Sequence, residues 1–348
     1  MLINEIRLTQ FAHGAGCGCK IAPAVLEKIL KESDGSIRDF SGLMVGNATR
    51  DDAAVFALDE HTCLISTTDF FMPIVDDAHT FGAIAAANAL SDVYAMGGRP
   101  LLALALLGWP VDKIPAEVAA QVLEGGRSIC MKAGIPLAGG HSIDSPEPFF
   151  GLAVSGIVRK ENLKRNNTAR VGDIIYLTKP LGSGIITTAA KRNLADEDDL
   201  IQAIRWMTEL NQVGEKIGEL SYVTAMTDVT GFGVLGHLLE VCEGSNTSAE
   251  IFYDKVPLMH NLKTYTSRMI YPDNTMRNWQ SFEKKVSGIG AESLLTLCDP
   301  QTNGGLLVCV EEVAAQNFAF FLQENGISAN QIGRMEKRKE ITIHILNG

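Results

Sequence analysis

Apolar and polar positions along the chain fall into short runs that switch between strand and helix character. Residues 52–58 (DAAVFAL) and 63–68 (CLISTT) are short, apolar or β-branched, and predict two strands, each with an aspartate at one end. Residues 81–96 (FGAIAAANALSDVYAM) have the length and alanine content of a helix, with Gly97-Gly98 as its stop. Residues 101–107, 136–138 and 149–158 predict further strands, with a helix over 118–133 among them, and residues 23–32 a short helix with proline near its first turn. Beyond these, the pattern predicts a strand at 174–178, a helix after Gly182-Ser183-Gly184 and another near 200–220. AMTDVTGFGVLGHLLEVC then passes from an apolar run into a glycine-rich helix start. A strand at 306–310, a helix around 312–325 and a last strand near 341–346 complete the chain. Helices alternate with strands throughout, which predicts a mixed α/β or α+β fold. No fixed-period repeat and no low-complexity tract interrupts it.

At about 150 residues per domain, 348 residues predict two domains, each large enough for its own core. Residues 159–170 (RKENLKRNNTAR) are polar and basic without apolar period, and set the expected boundary between a domain at 21–160 and one at 171–348. Residues 1–20 end in HGAGCGCK. Three glycines among eight residues cannot hold a rigid element alone, so this stretch is expected to be a mobile flap.

Thirty Lys and Arg against 41 Asp and Glu leave a net charge of −11, which argues against general nucleic-acid or anionic-membrane binding. The longest strongly apolar stretch, 100–110, is far short of a membrane span, and the first residues lack a secretory signal. Five of the seven cysteines lie in apolar or mixed segments, the pattern of reduced thiols in a cytoplasmic protein.

The chemistry is carried first by aspartates. Asp69 closes an apolar strand. Asp92 lies inside the alanine-rich helix, four residues after Asn88 and so on its face. Asp51 and Asp52 open a strand, and Asp228 precedes the glycine-rich DVTGFG. A buried carboxylate without a partner costs several kcal/mol, so Asp92 needs a cation, strong donors or water. Carboxylates at the ends of apolar elements suit Mg²⁺ holding a nucleotide, although a single one is also explained as a cap or turn residue, a reading that mid-helix Asp92 fits poorly.

Cys17-Gly18-Cys19-Lys20 is the second feature. Lys20 favours thiolate at either cysteine, and His13 offers a base. A reactive thiol, a redox pair, a zinc ligand pair and an inert loop all remain open, with no second CxxC nearby for zinc. Third, Gly139-Gly140-His141-Ser142, Gly182-Ser183-Gly184 and Thr302-Asn303-Gly304-Gly305 each offer backbone N–H groups to phosphate or a tight turn, and none matches a Walker or dinucleotide fingerprint. His141 is a polar contact or a satisfied histidine, and His237 a structural helix residue. The residues alone thus point to a Mg²⁺-dependent nucleotide enzyme with a thiol flap. The rivals are a kinase or cyclo-ligase releasing ADP, and a non-catalytic carrier binding its cargo through Cys17 and Cys19.

RLTQFAHGAGCGCK, GNATRDDAAV, STTDFFMPIVDD, NALSDVYAMGG, LAGGHSID, AMTDVTGFGVLGHL and CDPQTNGGLL, in this order from about Arg7 to Leu307, resemble the selenophosphate synthetase family. The aspartate and DVTGFG blocks are similar more widely to aminoimidazole-ribotide synthetase-like ATP enzymes. The resemblance implies two α+β domains of that type behind a glycine-rich flap. It also implies conversion of ATP, hydrogen selenide and water to selenophosphate, orthophosphate and AMP, serving selenoprotein and seleno-tRNA synthesis. Carried over by position, Cys17 and Lys20 are catalytic, and Asp52, Asp92 and Asp228 bind magnesium. Lys20, Thr49, Arg50, Asp51, Asp69, Asp92, Gly140, His141 and Ser142 bind ATP. Some members carry selenocysteine where this chain has Cys17. A homodimer, with the nucleotide site completed by the partner subunit, is implied as well.

Overall fold

A computed structural model describes residues 6–19, 25, 29, 40–46 and 51–346. Lys20, Thr49 and Arg50, and all but two residues of the helix expected at 23–32, lie outside the described residues.

The first half runs β1 (Leu43–Val45), β2 (Ala54–Ala57), β3 (Thr62–Phe71), α1 (Ala78–Ala95), β4 (Arg99–Trp109), α2 (Ala116–Lys132), β5 (Leu137–Asp144) and β6 (Phe149–Arg159). Its sheet has the order β1-β2-β3-β6-β4-β5, antiparallel except for the parallel β4–β5 pair at one edge. The Asp77 side chain accepts from the Thr80 amide at 2.7 Å and so starts α1. Fifteen of the eighteen α1 residues are buried, so this helix is enclosed on all sides. Its small alanines let α2, the sheet and later helices approach it closely.

The second half contains β7 (Ile174–Leu177), α3 (Ser183–Lys191), α4 (Glu197–Thr208), α5 (Val213–Gly218), β8 (Val223–Asp228), α6 (Gly233–Gly244) and β9 (Thr247–Phe252). Then come α7 (Leu262–Thr266), α8 (Asp273–Phe282), β10 (Val286–Ser287), α9 (Ala291–Leu297), β11 (Leu306–Val310), α10 (Ala315–Glu324), β12 (Asn330–Lys337) and β13 (Ile343–Leu346). The sheet order is β10-β13-β9-β12-β7-β11-β8. Its central strands are apolar on both faces. Ile174, Tyr176 and Val308 pack with Phe318 and Leu322 on one side, while Ile175, Leu177 and Leu307 pack with Leu235 and Leu238 on the other. The fold is α+β in both halves, as expected.

Several expectations from the sequence need correction. The helix expected near 200–220 is two helices, α4 and α5. The break falls where Asn303 Nδ2 donates to the Met207 and Glu209 carbonyls and Lys179 Nζ to that of Glu209, taking acceptors a continuous helix would use. The polar stretch 159–170, the expected boundary, packs onto both halves, with the Lys164 amide donating to the Met96 carbonyl. Lys164 and Asn166 are buried, with Lys164 Nζ donating to the Leu220 and Val223 carbonyls. The first core also extends past it, because Ile185, Ile186, Ala189, Ala203 and Met207 of α3 and α4 share one apolar cluster with α1. β9 and β12 escaped the sequence reading, since polar residues within them, buried Thr247 and Ser248 of β9 included, break the apolar alternation.

Candidate functional site

The two halves meet along α1, and the aspartates converge there. Thr67 Oγ1 of β3 donates to Asp92 Oδ2 at 2.5 Å, and Asn88 Nδ2 donates to Asp69 Oδ2 at 2.5 Å. Asn88 and Asp92 therefore do share the face of α1 that meets β3. From the other half, Thr227 Oγ1 donates to Asp52 Oδ1 at 2.8 Å, and the Asn166 amide to Asp51 Oδ1 at 2.8 Å. Asp228, the last residue of β8, accepts from Ser91 Oγ of α1, which in turn accepts from Asn211 Nδ2 at 2.8 Å. Asn303, in a left-handed conformation in the polar glycine run, donates its amide to Asn88 Oδ1 at 2.7 Å. Every link crosses between elements distant in sequence.

The electrostatics follow from this convergence. Burial pushes the Asp52 carboxyl well above the ordinary carboxylate range, and the charges of Asp228, Asp92 and Asp51 push it further, against the Thr227 hydrogen bond. Asp51 Oδ2 and Asp52 Oδ2 are buried and lack a hydrogen-bond partner among the described residues. Among those residues no three His, Cys, Asp or Glu side chains stand close enough to ligate one ion. Buried, mutually repelling carboxylates with orphaned oxygens are a donor set that suits a hard divalent cation. Lys179 lies on the other side of Asn303, with Nζ donating to the Glu209 and Asn303 carbonyls. Burial pulls its ammonium down to about 7, opposed by Glu209 and Asp228.

The glycine segments separate into different roles. Residues 139–142 are part of β5, not a loop following a strand. Gly140 has φ +157°, and a Cβ there would meet the Ala105 carbonyl oxygen at 2.2 Å, so only glycine lets the two parallel strands pair. Gly140 shares a row across the sheet with Ala105, Leu152 and Asp69. Three strand spacings, roughly 14 Å, separate the row's ends. His141 projects from the opposite, exposed face. Gly140, His141 and Ser142 are thus not brought to the aspartates within one chain.

The other two segments are turns several of whose donors are already used. Asp299 Oδ2 accepts from the Gly184 and Ile185 amides, and Gln301 Oε1 from those of Gly182 and Ser183, at the start of α3. The Thr302 amide donates to Ser183 Oγ. His237 is structural as expected, buried and stacked on Phe232. The five cysteines of apolar or mixed segments are buried free thiols.

Cys17 and Cys19 fall in a 3₁₀ turn, Gly16–Cys19. The stretch expected to be a mobile flap lies docked in this structure. Arg7 Nε and Thr9 Oγ1 donate to Asp76, and the Gly16 amide donates to the Met72 carbonyl at 3.1 Å. His13, mostly exposed, places Nδ1 2.8 Å from Glu147 Oε2. Sequence reasoning missed Thr67, Ser91, Lys179, Asn211 and Thr227. Single polar residues in apolar segments, lysine or neutral, carry no signal until tertiary structure sets them against an acceptor.

Residues 50–158 match the AIR synthase related protein N-terminal domain, and residues 170–345 its C-terminal domain. Selenide, water dikinase of Pseudomonas putida is 53% identical over 343 residues, 99% of both chains. That of Bordetella bronchiseptica is 53% identical with the same coverage, and that of Colwellia psychrerythraea 51% identical over 99% of this chain and 100% of its own. Among solved structures, thiamine-monophosphate kinase from Aquifex aeolicus aligns with a TM-score of 0.65 at 18% identity, over 93% of this chain and 98% of its own. Hydrogenase maturation protein HypE in complex with ATP aligns with a TM-score of 0.64 at 17% identity, over 100% and 90%. The solved structures share the fold, and full-length identity above one half narrows the assignment further: this chain belongs to the selenide, water dikinase family.

Proposed function

We infer that the chain converts ATP, hydrogen selenide and water to selenophosphate, orthophosphate and AMP, with the site built on the aspartates at the meeting of the two halves. The observation that carries this reading is the charge repulsion that Asp228, Asp92 and Asp51 exert on Asp52 where the two halves meet, in a chain about half identical to named dikinases over its full length. Asp52, Asp92 and Asp228 would hold Mg²⁺, which supplies neutralising charge to the triphosphate when bound. Asp69 and Asn88 orient the nucleotide from β3 and α1, and Asp51, Thr49 and Arg50 contribute to holding it. Lys20 adds positive charge where negative charge builds during phosphoryl transfer. Cys17 acts as the nucleophile that delivers or activates selenium. The segment around it covers the site and excludes water until selenium is phosphorylated.

The chain acts as a homodimer. β2, β3, β4 and β5 present Phe56, Phe70, Leu104 and Ile143 on the sheet face opposite α1, at 42–51% exposure. An uncovered apolar face of this kind marks an interface. His141 stands on it beside Ile143, so a second copy packed there would bring its own residues toward Gly140, His141 and Ser142.

The test is ³¹P NMR of the purified protein with ATP, Mg²⁺ and selenide under anaerobic, reducing conditions. AMP, orthophosphate and a selenium-coupled phosphorus signal, all requiring selenide, are expected. ADP as sole nucleotide product would place the chain among kinases or ligases of this fold. No ATP consumption by folded protein would favour a carrier.

A further inference from the structure

Helix α3 grips two different segments at its two ends. At its N-terminal end, the amides of Gly184 and Ile185 hold Asp299, and those of Gly182 and Ser183 hold Gln301. At its C-terminal end, Lys191 Nζ donates to the carbonyls of Ala12 at 3.0 Å and Gly14 at 3.3 Å. Asn193, in the left-handed conformation just past the helix, accepts from Arg7 Nη1 at 3.0 Å. The two gripped segments touch each other. A Cβ on Gly16 would lie 2.6 Å from Thr302 Oγ1, and one on Gly18 would lie 3.6 Å from Pro300. The next residue, Asn303, bonds Asn88, the partner of Asp69.

We propose that Lys191 is a positioning residue for the reaction, docking the Cys17 turn onto the 299–303 loop and so setting it against the aspartates. Nine helical residues span about 13 Å. Over that length α3 is a rigid ruler, one end fixing the loop and the other fixing the backbone just before the turn. An ammonium suits the task because it carries three donors and so reaches the two carbonyls of Ala12 and Gly14 at once. Neither Arg7–Asp76 nor His13–Glu147 supplies this link, since both tie the segment to the first half alone. Lys191 and Asn193 tie it to the second half by hydrogen bonds, alongside the close packing of Gly16 on Thr302 and Gly18 on Pro300. The role rests on the function proposed above for what Cys17 does, but the docking itself does not.

The experiment compares Lys191→Met, Lys191→Arg and wild type as full-length protein. Hydrogen exchange at the Gly16 amide, which donates to the Met72 carbonyl, reads docking without any selenium chemistry. Lys191→Met is expected to speed that exchange at least ten-fold with the thermal midpoint little changed, and Lys191→Arg to restore protection. Selenide-dependent AMP formation in Lys191→Met should fall at least ten-fold in kcat, with KM for ATP within two-fold of wild type. Unchanged Gly16 exchange, or equal activity in all three proteins, overturns the proposal. Should Lys191→Met fail to fold, Asn193→Ala removes the neighbouring tie; accelerated Gly16 exchange with reduced kcat then supports α3 docking, and unchanged values overturn it. If wild type makes no selenide-dependent AMP, the functional reading fails, while the exchange result still decides whether Lys191 docks the turn.

Discussion

Ser91 Oγ donates to Asp228 Oδ2 at 2.5 Å, joining the middle of α1 to the last residue of β8. The two residues are 137 positions apart, and both are buried. Asn211 completes the chain by donating to Ser91 Oγ and to the Gly304 carbonyl. One hydroxyl therefore holds a carboxylate of the second half against the central helix of the first.

Ser91→Ala should destabilise the fold by about 1–3 kcal/mol, because it removes a donor from a buried carboxylate and an acceptor from a buried amide. It should also weaken Mg²⁺-dependent nucleotide binding. Urea unfolding and calorimetric titration of MgATP check the two effects, and an unaltered urea midpoint would remove the bond from any structural role.

Cys17→Ser and Asp92→Asn should separate chemistry from binding. The first is expected to lose selenide-dependent turnover by about 100-fold or more, the scale on which positioned groups act, with ATP binding kept. The second should lose Mg²⁺-dependent nucleotide binding. Near-normal selenophosphate output from the serine variant would count against the nucleophile, and unchanged MgATP affinity in the asparagine variant would take Asp92 out of the site.

Asp299 is fully buried, and burial pushes its carboxyl up to about 8 against the hydrogen bonds from Gln301, Ile185 and Gly184. A folded value above the unfolded one means that the folded state holds the proton longer. The stability this group contributes is full below about pH 4 and is lost as pH rises toward 8. Asp299→Asn, neutral at every pH, should flatten that decline, with a gain over wild type at pH 8 of at most a few kcal/mol. Urea midpoints from pH 5 to 9 measure it; parallel curves for the two proteins would show that Asp299 does not govern the slope.

Leu104→Lys places a charge in the exposed apolar face of the first sheet without touching its buried side. Sedimentation should show a shift from dimer to monomer, accompanied by loss of activity if the partner completes the nucleotide site. A variant that stays dimeric would locate the interface elsewhere.

Much of this protein was legible in the order of its residues. Apolar runs bounded by aspartate, glycine and proline marked most strands, and the alanine-rich stretch ending at Gly97-Gly98 marked α1, because these signals are local and act through the backbone. Asp92, placed inside an apolar helix, already demanded a partner by the cost of an isolated charge. What local signals could not supply was the identity of partners. Thr67, Ser91, Asn211 and Thr227 are ordinary polar residues until folding sets them within 2.5–2.8 Å of a carboxylate or hydroxyl from a distant segment. Glycine segments were equally ambiguous. Whether 182–184 and 302–305 cradle phosphate or simply turn depends on whether their amides are free, and Asp299, Gln301 and Asn88, contributed from elsewhere in the chain, had already taken several of them. Residues 139–142 became a strand because β4 lies beside them, a neighbour chosen by sheet topology. Sequence determines which groups are available and where the backbone bends; only the packed tertiary structure decides which donor meets which acceptor, because those pairings are fixed by contacts between residues far apart in the chain.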